Sequence, residues 1–174
     1  IGANGNPITA TTDANGNYEF TGLAPGDYCI QFDATTSTDP EAADFVYTVQ
    51  DSGEPGADDT NDSDINPNTG DSPCVNLESG EDDPTIDAGV YVPASLGDTV
   101  WEDIDGDGVQ DGGEPGVEGV TVTLYTCVGG VKDQPVPGAV TTTDASGAYQ
   151  FTGLAPGDYC VQFDASTSTD PNAS

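Results

Sequence analysis

The sequence predicts an all-β protein made of antiparallel, Ig-like β-sandwich repeats, and three observations lead there. Apolar and polar residues alternate over short runs, as where Val120, Val122 and Leu124 interleave with Thr121, Thr123 and Tyr125. Turn residues break up these runs, with 23 glycines and 13 prolines in 174 residues. One segment also occurs twice. Thr11–Pro40 and Thr142–Pro171 differ at only five of thirty positions, with an offset of 131 residues (142 − 11). That is tandem duplication, and the period suits one antiparallel sandwich per repeat.

Taken in chain order, Asn15-Gly16 is a turn between strands, and Leu23-Ala-Pro-Gly-Asp27 is a tight connection. Tyr28, Ile30 and Phe32 then alternate along a strand with an inner and an outer face. Val75 and Leu77 mark another strand, and Thr85 to Val92 a further one. Val120 to Cys127 is the clearest strand of the second copy, followed by a loop at Gly129-Gly130 that holds Lys132. Ser146-Gly147 and Leu154-Ala-Pro-Gly-Asp158 repeat the earlier turns, and Tyr159, Val161 and Phe163 repeat the inward face of the Tyr28 strand. No segment has a convincing helical period. By the offset, residues 1–92 are the later part of one repeat and 93–174 the early part of the next.

Composition narrows the function. Lysine and arginine total 1 against 32 Asp plus Glu, histidine is absent, and the formal charge is −31. Phosphate recognition needs Lys and Arg, so nucleic acid is excluded as a partner, and docking on anionic membranes is disfavoured. No apolar run approaches the ~18 residues of a membrane span, so no membrane insertion is expected, and an export signal is expected outside these residues. Without His or Arg, and with a single lysine, most nucleophile–base arrangements are unavailable, so the chain is not expected to be an enzyme. Only a pair of carboxylates could catalyse, and the acids here fall in metal-like spacing instead. Four cysteines without a CxxC motif or histidine fit disulfides better than zinc.

That spacing is clearest in Asp103–Glu114, D-I-D-G-D-G-V-Q-D-G-G-E. Asp103, Asp105 and Asp107 alternate, Gly108 follows, and Glu114 closes the twelfth position, which is the D-x-D-x-D-G-x5-E pattern of a calcium loop. Calcium takes six to eight oxygen ligands. Here Asp103, Asp105 and Asp107 supply carboxylates, Val109 its backbone carbonyl, Asp111 a direct or water-bridged contact, and Glu114 two oxygens. The flanks are not helical. Ser95-Leu-Gly-Asp-Thr-Val-Trp101 reads as strand, and Pro115-Gly116 bars a following helix. A calcium loop outside a helical frame suits millimolar calcium, hence an extracellular setting. Trp101 is expected to anchor the core beside the loop. Asp13-Ala-Asn15-Gly-Asn17 also resembles a ligand series, but its copy Asp144-Ala-Ser146-Gly-Ala148 loses oxygens at alternate positions, so a hairpin turn explains both better.

Several motifs in order, SLGDTVWEDIDGDGVQDGGEPGVEGVTVTLY, TTTDASGAYQFTGLAPGDYCVQF, DDTNDSDINPNTG and DPTIDAGVY, resemble the SdrD B-like domains of serine-aspartate-repeat surface proteins, which are related to collagen-adhesin B-type domains. The resemblance covers essentially the whole chain in two partial copies. It implies prealbumin-like sandwiches, calcium-stiffened, that form stalks on a cell surface. It also implies calcium at the second acidic cluster, through Asp59, Asp62 and Asp64, with Asp87 either a ligand or a turn former. The isopeptide staple of the related adhesin domains is not expected, because Lys132 lies off the core strands. In the prealbumin-like order the Cys160-type strand sits between the Cys127-type and Cys74-type strands. Cys127–Cys160 and Cys29–Cys74 are then both plausible cross-strand disulfides. A full repeat holds three such cysteines, so one is either free or bonded to a neighbour.

The resulting expectation is a calcium-binding structural repeat of an extracellular stalk or head-to-tail fibre, partnered by neighbouring copies of itself. A ligand-binding adhesin module and an inert acidic surface adapted to high salt are the alternatives. Thr35–Thr38 and Ser166–Thr169 are candidate O-glycosylation runs, and Asn61 and Asn172 open N-glycosylation sequons.

Overall fold

The computed structural model describes residues 6–51, 53 and 60–169. Its strands are β1 (Gly26–Gln31), β2 (Val46–Tyr47), β3 (Asp71–Leu77), β4 (Val90–Tyr91), β5 (Ala94–Thr99), β6 (Thr121–Val128), β7 (Val131–Thr142), β8 (Ala148–Leu154) and β9 (Tyr159–Asp164). The only helical elements among the described residues are single 3-10 turns at Ala34–Thr36, Ala42–Asp44 and Ala165–Thr167. The protein is all-β, the pairs β1–β3, β5–β8, β6–β7 and β6–β9 are antiparallel, and the architecture is that of Ig-like sandwich repeats. Among the described residues no helix is long and apolar enough to cross a membrane. Two compact units form, Ile1–Ala34 with Tyr47–Gly89, and Thr35–Val46 with Val90–Ser174.

In the first unit β1 pairs with β3, setting Tyr28 opposite Val75 and Cys29 opposite Cys74. Ile65 is fully buried. The Tyr18 ring packs edge-on against Phe20 and Phe32, at centroid distances of 5.9 and 5.4 Å. The Tyr47 hydroxyl donates to the Phe32 carbonyl (2.7 Å) and accepts from the Ala34 N–H (3.1 Å). The duplicated LAPGDY turn closes the same way in both copies. Tyr28 donates to the Ala24 carbonyl and Tyr159 to the Ala155 carbonyl, each at 2.8 Å.

In the second unit the sheets are β5–β8 and β7–β6–β9. The alternation of β6 sends Val122 and Leu124 inward, where both are fully buried with Phe151 and Leu154. Leu96, Val136, Tyr149 and Val161 pack around that cluster. Val120, just before β6, is also fully buried. Thr143 is buried beside it. Its hydroxyl donates to the Val117 carbonyl (2.6 Å) and accepts from the Val120 N–H (3.0 Å).

Four expectations need correcting. Lys132 does not lie in a loop but on β7, paired opposite Cys127. β7 follows β6 through Gly129-Gly130, whose φ of 59° and 78° suit a tight hairpin that L-residues resist. Pro135 and Pro137 are tolerated because β7 is the outer strand of its sheet. The Thr85–Val92 run is a strand only at Val90–Tyr91. Phe163 is 44% exposed rather than inward, although its ring meets Tyr149 edge-on at 5.4 Å. Finally, residues 17–23 are not a strand although their copies form β8. β8 pairs with β5, and residues 94–99 have no counterpart 131 positions earlier in this sequence.

Candidate metal centre

The loop 103–114 is closed by strand-like pairing. Trp101 and Gly116 form an antiparallel bridge. The Val117 N–H donates to the Val100 carbonyl, and the Glu102 N–H to the Pro115 carbonyl, each at 2.9 Å. Within the loop the carboxylates cap successive backbone N–H groups. Asp103 accepts from Gly106 (2.7 Å) and Gly108 (2.9 Å), Asp107 from Val109 (2.8 Å), and Glu114 from Ile104 (2.8 Å) and Asp111 (3.0 Å). Gly108 has φ 80°, the left-handed turn that its place in the pattern requires.

This winding gathers the acids. Carboxylate oxygens of Asp103, Asp105 and Glu114 lie within 4.8 Å of one another, and so do those of Asp105, Asp107 and Asp111. Asp105 belongs to both groups. All five are exposed except the half-buried Glu114. The donor set is entirely oxygen and suits a hard divalent cation. The backbone hydrogen bonds do not preclude binding, because each carboxylate has about four lone-pair sites. Trp101 is half-buried at the loop's base, and its indole N–H is buried without a partner among the described residues.

The second cluster is organised differently. Asp59 lies outside the described residues. Ser63 and Asp64 are buried and tied to the segment before Gly89. The Asp64 N–H donates to the Asp87 carbonyl (3.0 Å), Asp64 Oδ2 accepts from the Asp87 N–H (2.6 Å), and Ser63 Oγ accepts from the Gly89 N–H (3.2 Å). Asp62 Oδ1 is buried with no hydrogen-bond partner among the described residues. Burial pushes the Asp64 carboxyl up, opposed by the Asp87 N–H and reinforced by the charges of Asp87, Asp62 and Asp51. Burial also raises Asp87, with Asp62 adding to it. The Tyr18 phenol is raised to about 12, first by burial and then by Asp87, Asp64 and Asp83. Its hydroxyl donates to the Ile86 carbonyl at 2.6 Å. Among the described residues, Asp62 and Asp64 do not belong to a group of three close carboxylates of the kind seen in loop 103–114.

Sequence reasoning missed Asp51 and Tyr18 as neighbours of this cluster. Asp51 has one local signature, a φ of 45° that is uncommon outside glycine, with its N–H donating to the Ser63 carbonyl at 2.9 Å. Asp13 and Asp144 are turn formers. Asp13 Oδ1 accepts from the N–H groups of Asn15 (2.8 Å) and Asn17 (3.0 Å), and Asp144 Oδ1 from those of Ser146 (2.8 Å) and Ala148 (3.0 Å). These hydrogen bonds lower both carboxyls. The first cause is the Asn15 N–H for Asp13 and the Ser146 hydroxyl for Asp144.

Both units carry a disulfide, Cys29–Cys74 and Cys127–Cys160, with Cα separations of 4.2 and 5.6 Å. Lys132 donates to Gln162 Oε1 (2.6 Å) and sits 4.4 Å from the Tyr125 ring centroid, exposed on the sheet.

The model of the SdrD B-like domain family matches residues 2–90 and again 94–174. The chain belongs to the SdrD B-like domain family. It is 43% identical over 170 residues to serine-aspartate repeat-containing protein F of Staphylococcus epidermidis, covering 97% of this chain and 8% of that protein. It is 38% identical to the bone sialoprotein-binding protein of Staphylococcus aureus strain MRSA252 and to serine-aspartate repeat-containing protein E of strain USA300. Each of these covers 96% of this chain, which spans only 13% of those relatives. The SdrD B-like chain is a repeat module of cell-surface proteins and is extracellular.

Proposed function

We propose that this SdrD B-like chain is a calcium-stiffened structural repeat of a surface stalk or fibre, joined head to tail with neighbouring copies. Residues 1–92 and 93–174 are the later part of one repeat and the early part of the next. The observation that carries the reading is the convergence of Asp103, Asp105, Asp107, Asp111 and Glu114 on one short loop. Calcium would sit among these carboxylates with the Val109 carbonyl completing the set, and would fix the strand-to-strand connection from Trp101 to Gly116. Asp62 and Asp64, with Asp59, would hold a second ion. The support there is the buried Asp62 Oδ1, which has no hydrogen-bond partner among the described residues and is costly in a folded protein unless something such as a cation compensates it. The ligand chemistry is binding and stiffening rather than turnover, because the acids gather at ligand distance in a chain without histidine and with one lysine or arginine in total.

The test is calorimetric titration of the whole chain with calcium, beside sodium chloride at matched ionic strength. Saturable binding to the 103–114 loop, abolished in Asp105→Asn, supports the reading. Equal responses to the two salts favour a generic acidic surface instead. For the head-to-tail part, small-angle scattering in calcium is expected to show elongated assemblies. Monomers that stay compact at all concentrations would refute it.

A further inference from the structure

The two partial copies show different neighbours for the same strand. β1 and β9 are counterparts under the 131-residue offset, as are Cys29 and Cys160. In the first unit this strand pairs with β3, and in the second with β6. The hydrogen bonds reveal that the two neighbours use opposite edges. In an antiparallel strand the N–H and C=O of one residue point to one edge, and those of the next residue to the other. The N–H groups of Ile30 and Phe32 point to β3, reaching Ser72 Oγ and the Gly70 carbonyl, each at 2.9 Å. The Asp158 carbonyl points to β6 and accepts from the Cys127 N–H at 2.9 Å. Asp158 corresponds to Asp27, an odd number of residues from both Ile30 and Phe32.

A complete repeat therefore holds one middle strand with a β6-type neighbour on one edge and a β3-type neighbour on the other. Each neighbour carries a cysteine within bonding reach of the same middle cysteine. The structure shows both bonds, Cys29 with Cys74 and Cys160 with Cys127, but one sulfur cannot hold both. We propose that the complete repeat is a three-cysteine exchange site, in which the middle cysteine holds one disulfide at a time and the bond moves between the two edges of its strand.

The step needs no oxidant. The Cys74-type thiolate attacks the middle sulfur, the new S–S bond forms as the bond to the Cys127-type sulfur breaks, and that sulfur leaves as a thiolate. The attacker has given a proton to solvent and the leaving thiolate takes one, so one disulfide and one thiol persist. Displacement at sulfur wants attacker, centre and leaving group in line, and partners on opposite edges of one strand approach that arrangement. The middle cysteine lies on the outer face, exposed at Cys29 and half-buried at Cys160, so small thiols can reach it.

The experiment uses the whole chain lengthened at its C-terminus by a second copy of residues 44–93, which completes the second repeat. One thiol per chain is expected on alkylation. Non-reducing peptide maps should find Cys160 bonded to Cys127 in some molecules and to the added copy of Cys74 in others. Catalytic glutathione should bring a sample enriched in the Cys160–Cys127 bond and one enriched in the bond to the added cysteine to the same ratio. Cys127→Ser should drive Cys160 fully onto the added cysteine. The Cys29–Cys74 bond in the same chain reports that a 44–93 segment folds and is oxidised. The proposal is overturned if Cys160 bonds only Cys127 after equilibration, or if Cys160 stays a free thiol in Cys127→Ser.

Discussion

Removing one carboxylate from the 103–114 loop should have opposite effects with and without calcium, and Asp105→Asn is the sharpest choice. Asp105 belongs to both carboxylate groups, whose members lie within 4.8 Å of one another. Two groups of three give six close pairs, four of which involve Asp105. In bulk water two unit charges at that separation repel by ~0.9 kcal/mol. Screening at physiological salt, with a Debye length of about 8 Å, leaves roughly half of that. The mutation therefore relieves on the order of 2 kcal/mol in the calcium-free chain. The one hydrogen bond at stake, Asp107 N–H to Asp105 Oδ1 at 3.3 Å, can be kept by the asparagine oxygen. In calcium the sign reverses. At a free concentration about 100-fold above Kd, one site adds roughly 2.7 kcal/mol, which for a unit of this size raises Tm by about 10–20 °C. The assay is thermal unfolding followed by circular dichroism in chelator, in calcium, and in sodium chloride of equal ionic strength. The wild-type chain should gain Tm in calcium alone. Asp105→Asn should match or exceed the wild type in chelator and lose most of the calcium gain. A variant that is destabilised in chelator while keeping the full calcium shift would refute the reasoning.

Three further outcomes are expected. Leu124→Ala should cost about 2–5 kcal/mol by urea unfolding, because Leu124 is fully buried in the cluster with Val122, Phe151 and Leu154. Thr143→Val should cost roughly 1–3 kcal/mol in the same measurement, since it strips the hydroxyl that serves both the Val120 N–H and the Val117 carbonyl. The third concerns pH. Asp64 and Asp87 are raised when folded, so the folded state holds their protons more tightly than the unfolded chain does. Their contribution is complete below the ordinary value of 3.8 and is lost as pH rises through their raised values. Asp13 and Asp144 are lowered and act in the opposite sense, losing their contribution as pH falls through values below 3.8. The calcium-free urea midpoint should therefore rise on acidification from neutral pH and turn down below about 3.8. Asp64→Asn should flatten the rise, and an unchanged profile in that variant would contradict the assignment.

Much of the fold was legible because it rests on local pattern. The alternation through Val122 and Leu124 placed β6 with its inner face correctly, and the duplicated LAPGDY turns fixed where β1 and β9 begin. β7 was hidden because Pro135, Pro137 and Gly138 look like a loop, and only its position at the sheet edge makes them acceptable. The Thr85–Val92 run looked like a strand by composition. Part of its backbone serves the acidic cluster instead, through the Asp87 N–H and carbonyl on Asp64 and the Ile86 carbonyl on Tyr18. Phe163 followed its alternation on paper, but β9 is an outer strand, and its ring lies partly in water. The acids of loop 103–114 could be located from spacing because they are contiguous. Asp51 and Tyr18 could not, since only the folded chain brings them to Asp64 and Asp87 from distant parts of the sequence.

The balance of forces in the second unit explains why crosslinks should matter here. Its fully buried apolar side chains are few, and a small core leaves little surplus over the cost of ordering the chain. The formal charge of −31 adds self-repulsion that a single lysine does not offset. A disulfide acts on the unfolded chain, where conformational entropy is largest. Closing sequence separations of 45 and 33 residues should contribute about 4 kcal/mol each on a chain-entropy estimate. A cation acts on the folded chain, where it removes the cost of gathered carboxylates. The two devices are therefore complementary, and reduction and chelation should weaken the protein by nearly additive amounts because they act on different states. A large departure from additivity would mean that the disulfide Cys127–Cys160 shapes the calcium loop itself, which lies in the same unit.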